Sequence, residues 1–258
     1  MRCALIGSGS AGNALLVQAG DTTLLVDCGY SVKAFEARAA QLEFDPRQLS
    51  AVLVTHEHDD HLGGVLPLSR RYRVPVHWAP GTRIAAVARH GEAADARDFS
   101  PHAPFTIGDI TITPVPVPHD AREPTQFVFS DGRARFGLLT DLGSITPHVL
   151  EAYADCDALC LEFNHEPELL ESSAYPPSLR RRIASPWGHL SNAQAEQLLA
   201  RLKGPRLTRV VAAHLSEKTN RPELVADCLA RVASDVATTI APQHAVVPWF
   251  GVGSGASL

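Results

Sequence analysis

The 258-residue chain is 45% apolar, with a formal charge of −5, a mean hydropathy of −0.03 and a sequence pI of about 6.2. This composition suits one sizeable core and excludes a disordered or fibrous chain, while the charge excludes a broad basic surface that grips a duplex by its phosphates, so any nucleic-acid contact has to be local. Five cysteines without Cys-x-x-Cys spacing read as reduced, buried thiols; the opening MRCALIGSGS and the lack of an apolar run near the ~18 to 20 residues that span a bilayer point to no membrane and a cytoplasmic protein.

Short apolar runs bounded by turn residues predict strands at 14–18, 22–28 and 50–55, with a helical pattern at 31–42. Residues 7–13, rich in glycine and serine, lie between two strands. The loop after the third predicted strand leads into a helix at 62–71, followed by a second at 80–89. Strands follow at 110–117, 126–130 and 135–140, then a helix at 147–153 and a strand at 158–163. Pro176 and Pro177, followed by Arg180, Arg181 and Arg182, resemble an inserted excursion. A helix at 191–202 opens on the N-cap candidate Ser191, a strand follows at 208–213, and a helix at 222–233 starts with Pro222 in its first turn. The alternation predicts a layered α/β architecture in one domain over 1–258, without an internal boundary.

The densest chemistry lies in the loop after the 50–55 strand, where His56, His58, Asp60 and His61 fall within six residues. Neutral imidazoles and carboxylates are favoured ligands of zinc and its neighbours. A tight loop wraps four ligands around a single ion only with poor angles. Two adjacent ions relieve this, and paired metals are a standard device for hydrolysing esters and phosphodiesters. A solvated loop capping the next helix is the plainer alternative, and the density of ligand types argues against it. His119, Asp141 and His214 each stand where an apolar run stops, and strand ends on one edge of an α/β layer are where sites gather. His119 can complete one ion with His56 and His58, His214 the other with Asp60 and His61, and Asp141 can bridge them. Any of the three alone reads as structural; their shared position sets them apart.

In this order the residues resemble the H-x-H-x-D-H signature and later ligands of the metallo-β-lactamase superfamily. The resemblance implies an αββα sandwich, two mixed sheets flanked by helices, over essentially the whole length. Further strings are similar to the YycJ/WalJ group: Gly7-Ser8-Gly9-Ser10-Ala11-Gly12-Asn13, Asp27-Cys28-Gly29, His119-Asp120-Ala121, Glu162-Phe163-Asn164-His165, Gly188-His189-Leu190-Ser191-Asn192 and His214-Leu215-Ser216. That group is associated with 5′-exonuclease activity on DNA, so the resemblance implies a nuclease or phosphodiesterase with two zinc or manganese ions. Asp141 stands where true β-lactamases usually carry cysteine, which argues against antibiotic hydrolysis. The interval from Asp141 to His214 is too short for a β-CASP domain, and no long transfer-RNA-processing arm is evident. A nucleic acid would then be gripped by this domain itself or by a homodimer.

The expected mechanism is attack by a hydroxide held between the ions, since metal binding brings the pKa of water towards ~7. Asp60 serves the second ion, and His189 or a water protonates the leaving group; Asp59 and Asp120 either carry protons or orient ligands. Asp27 either holds a ligand imidazole by its outer N–H or forms a turn before Gly29. Residues 7–13, including Ser10 and Asn13, either cradle a phosphate or make a plain hairpin loop. His165 and His189 either reach the metal edge or are satisfied surface groups. His189 is favoured as a substrate contact because Trp187 and Arg180, Arg181 and Arg182 lie nearby, a mixture suited to base stacking and phosphate pairing, although an arginine run is usually a solvated face. Ser216 and Asn220 either bind a phosphate oxygen or cap the helix at Pro222. Two rivals share the ligand set: a glyoxalase-type thioesterase or lactonase, and a non-enzymatic metal-binding scaffold. The 7–13 loop and the Trp187/arginine patch favour phosphodiesters, and the intact ligand set argues against a scaffold.

Overall fold

The apolar runs pair into two seven-stranded sheets in a computed structural model that describes residues 1–253. The first part of the chain forms β1 (Arg2–Gly7), β2 (Ala14–Ala19), β3 (Thr22–Val26), β4 (Ala51–Leu53), β5 (Val76–Trp78) and β6 (Ala96–Asp98). The second forms β7 (Phe105–Ile107), β8 (Ile110–Pro116), β9 (Thr125–Ser130), β10 (Arg135–Leu139), β11 (Ala158–Glu162), β12 (Arg209–Ala213), β13 (Ala237–Ile240) and β14 (Val247–Gly251). The sheet orders are β14-β1-β2-β3-β4-β5-β6 and β13-β12-β11-β10-β9-β8-β7, so β14 crosses back to the first sheet. Each sheet is mixed. Hairpin-connected strands run antiparallel from β1 to β3 and from β7 to β10, whereas β3 to β6 and β10 to β13 are parallel.

The parallel crossovers carry α1 (Val32–Gln41), α2 (Asp59–Leu62), α3 (Val65–Tyr72) and α4 (Pro80–His90) in the first half, then α5 (Pro147–Tyr153), α6 (Pro167–Glu171), α7 (Pro177–Ile183), α8 (Asn192–Leu202) and α9 (Pro222–Val232). Period-two alternation explains how both faces are covered. In β3, Leu24 and Val26 enter the layer between the sheets with Phe127, Phe129 and Phe136, while Leu25 packs outward with Phe35 and Leu68 under the helices. The other sheet packs outward in the same way, Leu159 and Leu161 meeting Leu198 and Leu199 of α8 and Val225 of α9. The result is the expected αββα sandwich.

Three departures from the sequence reading have physical causes. Strand β1 was implied by the 7–13 loop without bounds, and β5, β6, β7, β13 and β14 are three to five residues long, too short to establish a period. The helix expected at 62–71 is two helices, α2 starting at Asp59 and α3 at Val65. The break falls at Gly63 and Gly64, where the Gly64 N–H donates to the Cys28 carbonyl at 2.7 Å and a Cβ would sit 1.7 Å from the Tyr30 carbonyl oxygen. The excursion around Pro176 folds as α7. The five cysteines are free and buried, burial pushing Cys28 and Cys160 up to about 12. No helix among the described residues is long and apolar enough to cross a membrane.

Candidate metal centre

The C-terminal ends of β3, β4, β8, β10, β11 and β12 bring Asp27, the 56–61 loop, His119, Asp141, Glu162 and His214 to one edge of the sandwich. At three of these ends the chain turns through the left-handed region, with φ of 58° at Asp27, 53° at Asp141 and 57° at His214. That conformation is uncommon for residues other than glycine, and fixed contacts keep it in place. The Asp27 N–H donates to Leu53 O at 2.8 Å, the Asp141 N–H to Glu162 Oε1 at 3.1 Å, and the His214 N–H to Ser8 Oγ at 2.7 Å.

Two groups of side chains meet there. His58 Nδ1 lies 3.0 Å from His56 Nε2 and 3.4 Å from His119 Nε2. Asp60 Oδ2 lies 3.5 Å from His61 Nε2 and 3.8 Å from His214 Nε2. Asp141 stands between them: Oδ2 is 3.3 Å from His61 Nε2, and Oδ1 is 3.7 Å from His119 Nε2 and 3.6 Å from His214 Nε2. Within each group the candidate donor atoms lie within 4.8 Å of one another.

The outer edges of these rings fix where their protons sit. His61 Nδ1 faces Asp27 Oδ2 at 2.8 Å, His119 Nδ1 faces the Gly188 carbonyl at 3.0 Å, and His214 Nδ1 faces Glu162 Oε1 at 2.9 Å. Carbonyls and ionised carboxylates only accept, so each Nδ1 carries hydrogen and each Nε2 lone pair points inward in the neutral ring. Asp141 Oδ2 and His214 Nε2 are buried without a hydrogen-bond partner. Inward lone pairs, orphaned acceptors and buried carboxylates are the donor set of a divalent cation, and the residues fit metal binding.

The same neighbours set the protonation of the imidazoles. Burial works against a charge on His61, yet Asp141, Asp60 and Asp27 outweigh it and hold the imidazole at about 9; His214 is raised in the same way by Asp141, Asp60 and Glu162. Burial and the surrounding imidazoles push His56 well below its ordinary value. Burial alone would raise Asp60, but His61 and His214 draw it below the ordinary carboxylate range.

The cluster opens into a cavity of about 390 Å³ lined by Ser10, Asp120, Arg182, His189 and Ser216, among others. His189 reaches this edge, its Nδ1 2.9 Å from Glu162 Oε1. Asp120 stands at the cavity wall, bonded by Arg182 Nε. Asp59 also lines the cavity, where it pairs with Arg89 and His90. Three of the expected substrate residues do not line the cavity. Asn13 is buried behind the ligands, its amide nitrogen 3.2 Å from Asp60 Oδ2 and 3.0 Å from His61 Nε2. Asn220 ties the end of β11 to α8, donating to Phe163 O and to Asn192 Oδ1 at 2.8 Å. His165 faces a different cavity with Arg180 and Arg181, and Trp187 is 60% exposed outside both, so the anticipated aromatic and arginine patch is divided.

Glu162 is a site residue that the sequence analysis assigns no role. It is fully buried and gathers five donors: Oε1 accepts from His189, His214 and Asp141 N, and Oε2 from Leu142 N at 3.3 Å and Leu190 N at 2.9 Å. Its signal was available, since a carboxylate closing a wholly apolar parallel strand needs partners. Ser8, whose hydroxyl holds His214, left no comparable trace.

A family model described as the β-lactamase superfamily domain matches residues 22–215. The chain is 34% identical over 233 residues to the exodeoxyribonuclease YycJ of Bacillus anthracis, covering 90% of this chain and 88% of that protein. It is 32% identical over 225 residues to the exodeoxyribonuclease WalJ of Streptococcus pneumoniae, covering 85% and 83%. Among solved structures, the metallo-β-lactamase fold protein YhfI from Bacillus subtilis matches with a TM-score of 0.73 and 21% identity, over 95% of this chain and 97% of that one, and shares its fold.

Proposed function

This chain belongs to the metallo-β-lactamase superfamily of hydrolases, and from that premise we propose that it is a two-metal exonuclease that removes nucleotides from DNA ends. One observation carries the reading: two ligand groups share Asp141 at the edge of a chain that matches two exodeoxyribonucleases over most of its length. His56, His58 and His119 would hold one zinc or manganese ion and Asp60, His61 and His214 the other, with Asp141 reaching both. Bound there, the ions supply Lewis acidity towards a phosphoryl oxygen and an acidified water.

The protein's own groups orient and exchange protons. Asp27 and Glu162 hold the ligand rings in the tautomer that turns Nε2 inward. His189, its Nδ1–H held by Glu162, presents Nε2 to the leaving oxygen and gives up the Nε2 proton of its doubly protonated ring, returning to the neutral form. Ser10 and Ser216 line the cavity as hydroxyl donors to non-bridging phosphate oxygens, and Arg182 sets the carboxylate of Asp120 at its wall. Five free buried thiols support a reducing, cytoplasmic setting.

Metal-supplemented protein should carry close to two first-row ions per chain by elemental analysis. It should shorten 5′-phosphorylated single-stranded or duplex oligonucleotides with manganese or zinc. Hydrolysis of S-lactoylglutathione with intact DNA would overturn the assignment in favour of a thioesterase, and metal-loaded protein that turns over neither would favour a scaffold.

A further inference from the structure

We propose that the second cavity behind α7 is a nucleotide subsite, which takes a base of the substrate strand remote from the phosphate being cleaved. The inference rests on the nuclease reading above and deepens it. Helix α7 separates two cavities: Leu179, Arg182 and Ile183 line the one over the ligand cluster, while Pro177, Arg180, Arg181 and Ala184 line the other. Those sets fall at the spacings that put residues on opposite faces of a helix, so a strand crossing α7 would meet both. The second cavity, of about 470 Å³, lies within the range of small-ligand sites.

Its chemistry is that of a base slot. Pro167, Leu170, Pro177 and Ala184 give apolar walls. At its base, His165 is 3% exposed and its Nδ1 has no hydrogen-bond partner. A buried polar atom left unpaired is destabilising, and such orphans call for a ligand or a function. Of the neighbouring polar groups, the Ser191 hydroxyl and the Gln194 side-chain oxygen are engaged with each other in the capping box of α8, and neither bonds the ring. Burial draws His165 down to about 4, against a smaller upward pull from Glu162, leaving a neutral ring with one donor and one acceptor. A neutral imidazole can meet one donor or acceptor on the edge of a nucleobase through one ring nitrogen, whereas a phosphate calls for cations. The cations stand in the cavity wall, where Arg180 is anchored to the Glu171 carbonyl and Arg181 is exposed. On a chain of net charge −5, these arginines supply the local positive charge that a flanking phosphate needs.

The test is to cover the cavity from its exposed rim with Ala184→Trp, a change on the surface. Three measurements are made on wild type and variant: hydrolysis of bis-p-nitrophenyl phosphate, KM and kcat on a single-stranded octanucleotide, and anisotropy of a fluorescent, hydrolysis-resistant tetranucleotide bound to the metal-loaded protein. The variant should hydrolyse the small diester at the wild-type rate. Its KM for the octanucleotide should rise at least tenfold with kcat little changed, tetranucleotide affinity should fall by a similar factor, and Arg181→Glu should reproduce the affinity loss. An unchanged KM and affinity, or equal losses on both substrates, would overturn the proposal. If the wild type cleaves no DNA, the nuclease reading fails by itself. The subsite then stands if Ala184→Trp abolishes tetranucleotide binding and falls if binding is absent or unaffected.

Discussion

Replacing Glu162 with glutamine tests the account of the metal centre most directly, because it changes one buried group and almost no volume. The carboxylate accepts five hydrogen bonds, three on Oε1 and two on Oε2. An amide accepts on its oxygen alone. With that oxygen towards His189, His214 and Asp141, its NH₂ confronts the N–H groups of Leu142 and Leu190; reversed, it confronts the other three donors. The cheaper arrangement leaves two buried donors unsatisfied at about 1–3 kcal/mol each, so Glu162→Gln should lose about 2–6 kcal/mol of stability. The imidazole of His214 also loses a charged acceptor, and groups that orient metal ligands in this way are typically worth 10–100-fold in affinity. Denaturant unfolding gives the first quantity and chelator competition the second. The ion held with Asp60, His61 and His214 should weaken, while the one held with His56, His58 and His119 should not. Wild-type stability together with unchanged affinity for both ions would refute the argument.

Asp60→Ala should empty or weaken the second site and reduce hydrolysis at least a hundredfold while the fold persists, because the remaining imidazoles still hold one ion; near-normal turnover would rule out two-metal catalysis. Proton release is the next expectation: ligation at His61 Nε2 must displace the proton held there at about 9, against an ordinary value of ~6.5, so metal binding near pH 7 should release it and binding well above pH 9 should not. Because that raised value stabilises the metal-free fold fully below about pH 6.5 and ceases to do so as pH rises through 9, the stability gained on adding metal should grow over the same interval. Calorimetry in two buffers of different ionisation enthalpy reads the release, and a buffer-independent enthalpy at pH 7 would count against it. Finally, a Cβ on Gly29 would sit 2.0 Å from the Asp60 carbonyl oxygen, so Gly29→Ala should cost about 1–3 kcal/mol and loosen the second ion. Gly204→Ala, with nothing within 4 Å of its Cβ, is the control for a harmless change, and equal unfolding midpoints for the two variants would contradict the packing argument.

Legibility in the sequence followed the range of the interactions. Candidate ligands that share a loop, or end a long apolar strand, are legible: His56, His58, Asp60, His61, His119, Asp141 and His214 are local signals, and the structure brings them together. Strands such as β6, with the sequence Ala-Arg-Asp, exist only because a neighbour pairs with them, and no local period reports that. The same limit applies to substrate candidates. Arg180, Arg181 and Arg182 are adjacent in sequence but share a seven-residue helix whose faces point to different cavities, so a reading that treated them as one patch was bound to merge two environments. Asn13 and Asn220 have the right chemistry for a phosphate, yet partners 47 and 28 residues away claim their amides.

The division of the ligands between the two sheets has a consequence for how the protein is made. The loop after β4 leaves the ribosome early, but His214 follows β12, roughly 150 residues later, an interval of about 8–30 s at ordinary elongation rates. Over the first half of that interval the nascent chain lacks His119 and the phenylalanines Phe127, Phe129 and Phe136 that cover Leu24, Val26 and Leu53, and over the second half it still lacks His214. An ion captured then would meet an incomplete donor set. The inner face can therefore be covered well before His214 completes the second candidate site, so the unfinished chain is exposed first to aggregation and then to incomplete metal loading.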